Sequence, residues 1–198
     1  MSRNRVVELV CHPQTATGIV DGIVDGIAVM VTRVSDDRLT LSYQLRADLG
    51  SVIIPDALPA DGPQPRADEL WRHTCFEAFL MPADGPGYRE YNFSPSREWA
   101  SYTFRDYRQP HELQISEPED EPMPVIRVHR DVKRDMHSLT IETEIPLAPQ
   151  VSNHSLRLGL SAVVEHTDGS LSYWALRHPP GKPDFHHIDA FDLQLDRP

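Results

Sequence analysis

An all-β fold, a two-sheet and mainly antiparallel β-sandwich of jelly-roll type, is what the sequence predicts, and three observations carry the prediction. Apolar and polar residues alternate with a period of two through most of the chain. The alternating runs are short and are separated by turn signals such as "DDR", "ADGPG" and "HTDGS". Sustained helical periodicity is nearly missing. Roughly ten short strands fit one sandwich domain spanning residues 1–198, a length that buries enough apolar surface to fold without metals or disulfides.

The runs follow in order. "VVELV" (6–10) and "GIAVMVTRV" (26–34) read as the first strands, and the echo "GIVDGIVDGI" around them is too brief to be a structural repeat. "RLTLSYQLR" sets Leu39, Leu41, Tyr43 and Leu45 on one face against Thr40, Ser42, Gln44 and Arg46 on the other. The proline-rich stretch "PDALPADGPQP" (55–65) is a long excursion leading to Trp71, of the kind that meets ligands on sandwiches. "TCFEAFLM", "YREYNFS" and "WASYTF" then alternate again. "EPEDEPMP" (117–124) is an acidic turn whose prolines splay Glu117, Glu119, Asp120 and Glu121. "VIRVHR", "SLTIETEIP", "LRLGLSAVVE", "LSYWAL" and "AFDLQL" complete the strands.

Charge and composition exclude several classes. A formal net charge of −11 repels phosphate backbones, so nucleic acid is a poor partner. The longest aliphatic runs, such as Ile27 to Val31, fall far short of the ~20 residues of a spanning helix, so no membrane segment is expected. Glu8, Cys11, His12 and Pro13 interrupt the opening before it reaches the roughly 7 to 15 apolar residues of a signal-peptide core, and a cytoplasmic address is expected. Cys11 and Cys75 belong to no CxxC and read as reduced, buried thiols.

Candidate site residues come from polar groups in apolar registers. In "TCFEAFLM", Glu77 shares its face with Cys75, Phe79 and Met81, while Phe76, Ala78 and Leu80 face the other way. A carboxylate on such a face needs a partner, and Arg157 or Arg177 is expected to supply it. Trp71, Trp99 and Trp174 each adjoin a polar cluster, and an indole flanked by Arg, Glu, Asn and His can stack on a sugar and hydrogen-bond its hydroxyls. Against this stands the ordinary fate of tryptophan, burial in a core. The loop "HPPGKPDFHH" (178–187) holds His178, Asp184, His186 and His187, but adjacent histidines in an extended segment point to opposite sides, which disfavours a metal site. A proline-stiffened rim loop is expected instead. Arg177, His178 and His186 would border a pocket with Glu77 and Asn92 on its floor and Trp174 or Trp71 as its stacking surface.

The segments from Leu70 to Leu195 carry a family likeness. A strand with an acidic residue among aromatics (Cys75 to Leu80), a strand leading into Ser-Pro (Asn92 to Ser96), an edge strand ending at Ile-Pro (Ile141 to Pro146) and a terminal run from Phe185 to Phe191 follow in order. The series resembles the DOMON-like ligand-binding domains related to family 9 carbohydrate-binding modules. That resemblance implies a β-sandwich that binds sugars between aromatic rings, or haem. The carbohydrate modules continue the acidic strand into an Asp that helps hold calcium, whereas Met81-Pro82 follows Leu80 here, so calcium is not expected. Haem would recruit Met81, His178 or Lys182 as axial ligands, and no spacing singles them out. No cofactor or metal is therefore expected.

No GxSxG, P-loop or HExxH is present, and a hydrolytic carboxylate pair would have to come from Glu77 and Glu165. The leading expectation is a non-catalytic domain binding a small molecule through Trp71, His73, Glu77, Asn92, Trp99, Trp174, Arg177, His178 and His186. A soluble sugar, sugar nucleotide or muropeptide-like fragment suits the expected address. A structural or protein-interaction sandwich is the alternative.

Overall fold

The structure is a computed structural model; it describes residues 4–15, 23–110, 123–133, 136–152 and 154–197. The acidic turn 117–122 and part of the "GIVDGIVDGI" echo lie outside the described residues. Among these, strands carry the fold: β1 (Asn4–Cys11), β2 (Val24–Ser35), β3 (Arg38–Ala47), β4 (Val52–Ile53), β5 (Cys75–Pro82), β6 (Tyr88–Phe93), β7 (Trp99–Asp106), β8 (Gln109–Pro110), β9 (Val125–Lys133), β10 (Met136–Pro146), β11 (Leu156–His166), β12 (Leu171–Ala175) and β13 (Leu193–Leu195). The helical pieces are α1 (Pro149–Ser152) and single 3₁₀ turns at Leu70–Arg72 and Ile188–Ala190. The all-β class expected from the alternation is what the chain adopts.

Strand pairing runs β8-β7-β6-β5-β11-β12-β1-β2-β3-β10-β9, with β13 and β4 also on β11. Every strand pair is antiparallel; only the isolated Arg66–Trp99 bridge is parallel. The two layers are joined rather than separate. β1 pairs with β2 through Asn4 to Leu9 and with β12 through Val10 and Cys11, so one strand passes from layer to layer and the path stays open at β8 and β9.

The inner faces follow from the alternation. Val29, Val31, Leu41, Tyr43, Leu45, Leu139 and Ile141 from one layer bury against Phe76, Ala78, Leu80, Tyr91, Phe93, Leu158 and Leu160 from the other. Each large side chain fully withdrawn from water in this way contributes about 1.5–3 kcal/mol. Tyr43 crosses the interface: its ring lies 5.3 Å from Phe76, and its hydroxyl donates to the Glu77 carbonyl at 2.7 Å.

β5 is buried from Cys75 through Leu80 on both faces, which explains its nearly continuous apolar reading. Its second face is covered by a smaller cluster in which Phe79, Tyr88 and Phe191 pack with Met81, Phe104 and Phe185. The last two of those belong to β7 and to the loop after β12. That loop therefore returns across the outer face of the β5 layer, and the site lies beneath it.

The excursion at 55–65 does not cover the site. Gln64 exchanges two 2.9 Å hydrogen bonds with the Ile126 backbone and accepts the Trp99 indole N–H at 3.0 Å on its carbonyl. Arg97, in the left-handed region at φ 75°, donates to the Pro59 carbonyl. The segment laces the two layers together at one edge, and only Trp71, beyond its end, reaches the cavity.

Candidate functional site

Register places the functional side chains. One cross-strand row runs Tyr102, Glu90, Phe79, Gly159 through β7, β6, β5 and β11. The next runs Ala100, Asn92, Glu77, Ser161, Ala175, and a third runs Cys75, Val163, Tyr173. Small side chains at Ala100, Gly159, Ser161 and Ala175 leave space on this face, while larger ones stand around it. Gly159 has a second use: a Cβ there would sit 3.4 Å from both the Ala190 carbonyl and Phe79, so glycine lets the returning loop approach.

The space is a cavity of about 400 Å³. Its aromatic lining is Trp71, Tyr102, Phe104, Tyr173 and Phe185; its polar lining is Glu77, Glu90, Arg108 and His186. Trp71 meets Tyr102 edge-on at 5.9 Å, and Tyr173 lies 6.1 Å from Phe185.

Glu77 is 3% exposed and Glu90 5%. The Ser161 hydroxyl donates to Glu77 Oε2 at 3.2 Å, and Asn92 Nδ2 donates to Glu90 Oε1 at 2.7 Å. Beneath them, Cys75 Sγ donates to Asn92 Oδ1 at 3.8 Å. Burial first, and then the charge of Glu90, push the Glu77 carboxyl well above its ordinary range, against the smaller effects of Ser161 and Arg108. Burial likewise raises Glu90, opposed by Asn92 and Arg108. Both shifts run in one direction: burial favours protonated carboxyls over two buried charges.

The expected arginine partner of Glu77 is not there. Arg157 Nη2 donates to the Phe191 carbonyl at 3.1 Å, and Arg177 is exposed and outside the cavity lining. Sequence logic asked for a countercharge; the fold instead gives Glu77 a hydroxyl donor and a second carboxyl as its neighbours. The proposed partner Glu165 is also elsewhere engaged, 2.8 Å from His73 Nδ1.

The roof is built by the loop after β12. Asp184 accepts from the Tyr107 hydroxyl at 2.6 Å, Arg108 Nη2 at 2.8 Å and the His186 amide at 3.2 Å. These bonds lower its carboxyl despite partial burial and fix the loop to the β7–β8 turn. Tyr88 accepts the Arg108 amide at 3.2 Å, which leaves its hydroxyl hydrogen for His186 Nδ1 at 2.8 Å. The remaining His186 nitrogen, Nε2, faces Glu90 Oε2 at 3.6 Å. Burial and the nearby Arg108 charge lower His186 to about 4, so a neutral imidazole faces the Glu90 carboxyl at neutral pH.

The expected site residues divide sharply. Trp71, Glu77 and His186 line the cavity, and Asn92 lies buried behind Glu90. His178 is one ring removed: its Nε2 bonds the Val10 carbonyl at 2.7 Å and its ring lies 6.4 Å from Phe185. His73 is exposed on the Glu165 carboxylate, and Arg177 is exposed as well. Trp99 and Trp174 correct the expectation, since both lie in the main core. Along "WASYTF" Trp99 enters the main core while Tyr102 and Phe104 line the cavity; in "SYW" Trp174 enters the core while Tyr173 lines the cavity.

Glu90, Tyr102, Phe104, Arg108, Tyr173 and Phe185 were not anticipated. Glu90 carried the same signal as Glu77, a carboxylate between Tyr88 and Asn92 in an apolar register. No group of three or more His, Cys, Asp or Glu residues suited to a metal ion occurs among the described residues. Both cysteines are free thiols. No helix of the described residues is long and apolar enough to cross a membrane.

No family model matches the chain, and no curated protein does. A solved structure does: a "putative carbohydrate-binding protein" from Bacteroides uniformis ATCC 8492, at a TM-score of 0.61 over 99% of this chain and 86% of that one. Identity is 10%, so the likeness is one of fold.

Proposed function

We propose that the chain is a non-catalytic binding domain that takes a small carbohydrate in the cavity between β7 and β12, and that it is a distant relative of the DOMON-like domains. The observation that carries the reading is the cavity's composition. Aromatic rings stand beside the directional oxygens of Glu77 and Glu90, which is the combination that holds a sugar by its C–H face and its hydroxyls. The fold shared with the Bacteroides uniformis protein supports the same reading. Glycoside hydrolysis asks for one carboxyl held ionised and another protonated. Glu77 and Glu90 are both pushed toward the protonated form, which favours binding over hydrolysis.

Calorimetric titration of the protein with a panel of monosaccharides tests the reading. Saturable binding that Trp71→Ala weakens about tenfold is expected, because stacking on an aromatic ring is worth roughly 1–3 kcal/mol. Binding that survives Trp71→Ala and Tyr102→Ala unchanged would put the ligand elsewhere on the molecule.

A further inference from the structure

The cavity is bordered by more carboxyl groups than cations. Glu77, Glu90 and Asp184 face it or border it, against Arg108 as the cation in its wall, and Arg108 is already committed to Asp184 at 2.8 Å. Glu77 Oε1 accepts no hydrogen bond from any described residue, and Glu90 Oε2 has only the His186 nitrogen at 3.6 Å. More than nine-tenths of each carboxyl-bearing residue is buried, and both line the cavity, where a ligand can supply the missing donors.

We propose, building on the carbohydrate reading, that the sugar this cavity takes carries a free protonated amine, and that its ammonium group is held by Glu77 and Glu90 with the aromatic wall around it. An ammonium brings three donors to oxygens that have few, and its positive charge favours the ionised form of the pair that burial disfavours. Aromatic rings strengthen the fit, because their faces attract cations as well as C–H groups.

The pH dependence has a definite sign. The other groups around the pair are Cys75 below, Tyr88 and His186 on the Glu90 side, Arg108 with Asp184 above, and Tyr102 at the far wall, itself bonded to Asp68 at 2.7 Å. Burial raises the Cys75, Tyr88 and Tyr102 groups and lowers His186 to about 4, while both carboxyls are raised above their ordinary value of 4.5. An ammonium ligand binds the ionised pair, so its affinity rises with pH until the ligand's own amine loses its proton. A neutral sugar that accepts hydrogen bonds from protonated carboxyls shows the opposite slope.

Titration calorimetry of the full chain with glucosamine, glucose and N-acetylglucosamine between pH 5 and 8 decides the matter. Glucosamine is expected to bind about tenfold or more tightly than either neutral sugar, with affinity rising from pH 5 to 7, and to lose that advantage in Glu77→Gln and Glu90→Gln. The wild-type contrast among the three sugars stands alone if a variant fails to fold. Equal affinity for glucose and glucosamine would overturn the amine proposal and leave the carbohydrate reading in place. Failure of all three to bind at millimolar concentration would overturn both.

Discussion

Glu77 illustrates how a single residue can be found correctly and explained wrongly. Its place in an alternating apolar run marked it as a buried carboxylate, and it is buried, but the partner inferred for it was a charge. The fold meets the cost by favouring the protonated form of the group, buried beside Ser161 and Glu90. A stability consequence follows with a fixed sign. In the native protein both carboxyls hold their protons above the ordinary value of 4.5, whereas the unfolded chain releases them there, so the pair's contribution is present below 4.5 and is lost as pH rises toward the native values. A glutamine does not titrate. Urea melts of Glu77→Gln and wild type should therefore diverge as pH rises from 5 to 8, the variant gaining at most about 1.4 kcal/mol per pH unit. His186 acts in the opposite sense in both proteins and drops out of the difference. A difference that stays constant, or that shifts in favour of wild type as pH rises, would mean that Glu77 is ionised in the fold. The tryptophans were harder to read. Alternation separates Trp99 from Tyr102 and Trp174 from Tyr173, yet both faces of those strands carry aromatics, so period alone does not say which face meets the core.

Each strand that frames the cavity was legible as an element, because a half-buried strand writes its two faces into the sequence with period two. What the pattern omits is neighbourhood. Nothing in "LRLGLSAVVE" announces that β11 pairs with β5, β12, β13 and β4, and it is this pairing that sets Ser161 beside Glu77. The β5–β6 hairpin shows how register becomes chemistry: a one-residue slip would turn Glu90 away from the cavity and Tyr91 into it. Gly87 holds that turn. Its φ is +79°, and a Cβ would come within 2.5 Å of the Phe104 carbonyl. Gly87→Ala is expected to cost about 1–3 kcal/mol by chemical denaturation. Gly169, in the β11–β12 turn, has a similar φ of +84° with nothing near its Cβ position, and its alanine variant should cost less. Equal costs at the two sites would show that the close approach to Phe104 carries no weight.

Across the whole molecule, the open path that β1 closes between layers leaves one outer face of the sandwich roofed by the chain's own returning loop. The sequence anticipated that loop as a rim and His186 as part of it, but it did not reveal the Asp184 contacts with Tyr107 and Arg108, which join segments some 77 and 76 residues apart. Such long-range bonds have no local signature, so the roof became visible only in three dimensions. The arrangement also distributes the tryptophans usefully: Trp71 is 39% exposed at the cavity wall, while Trp99 is 2% exposed in the core. The indole N–H resonances of these residues therefore report on different places. The most direct measurement is a two-dimensional ¹⁵N NMR titration of the indole signals with glucosamine and with glucose. The account predicts a saturable shift of the Trp71 signal, with Trp99 and Trp174 nearly still. A shift confined to Trp99 or Trp174, or none at all at millimolar sugar, would contradict it.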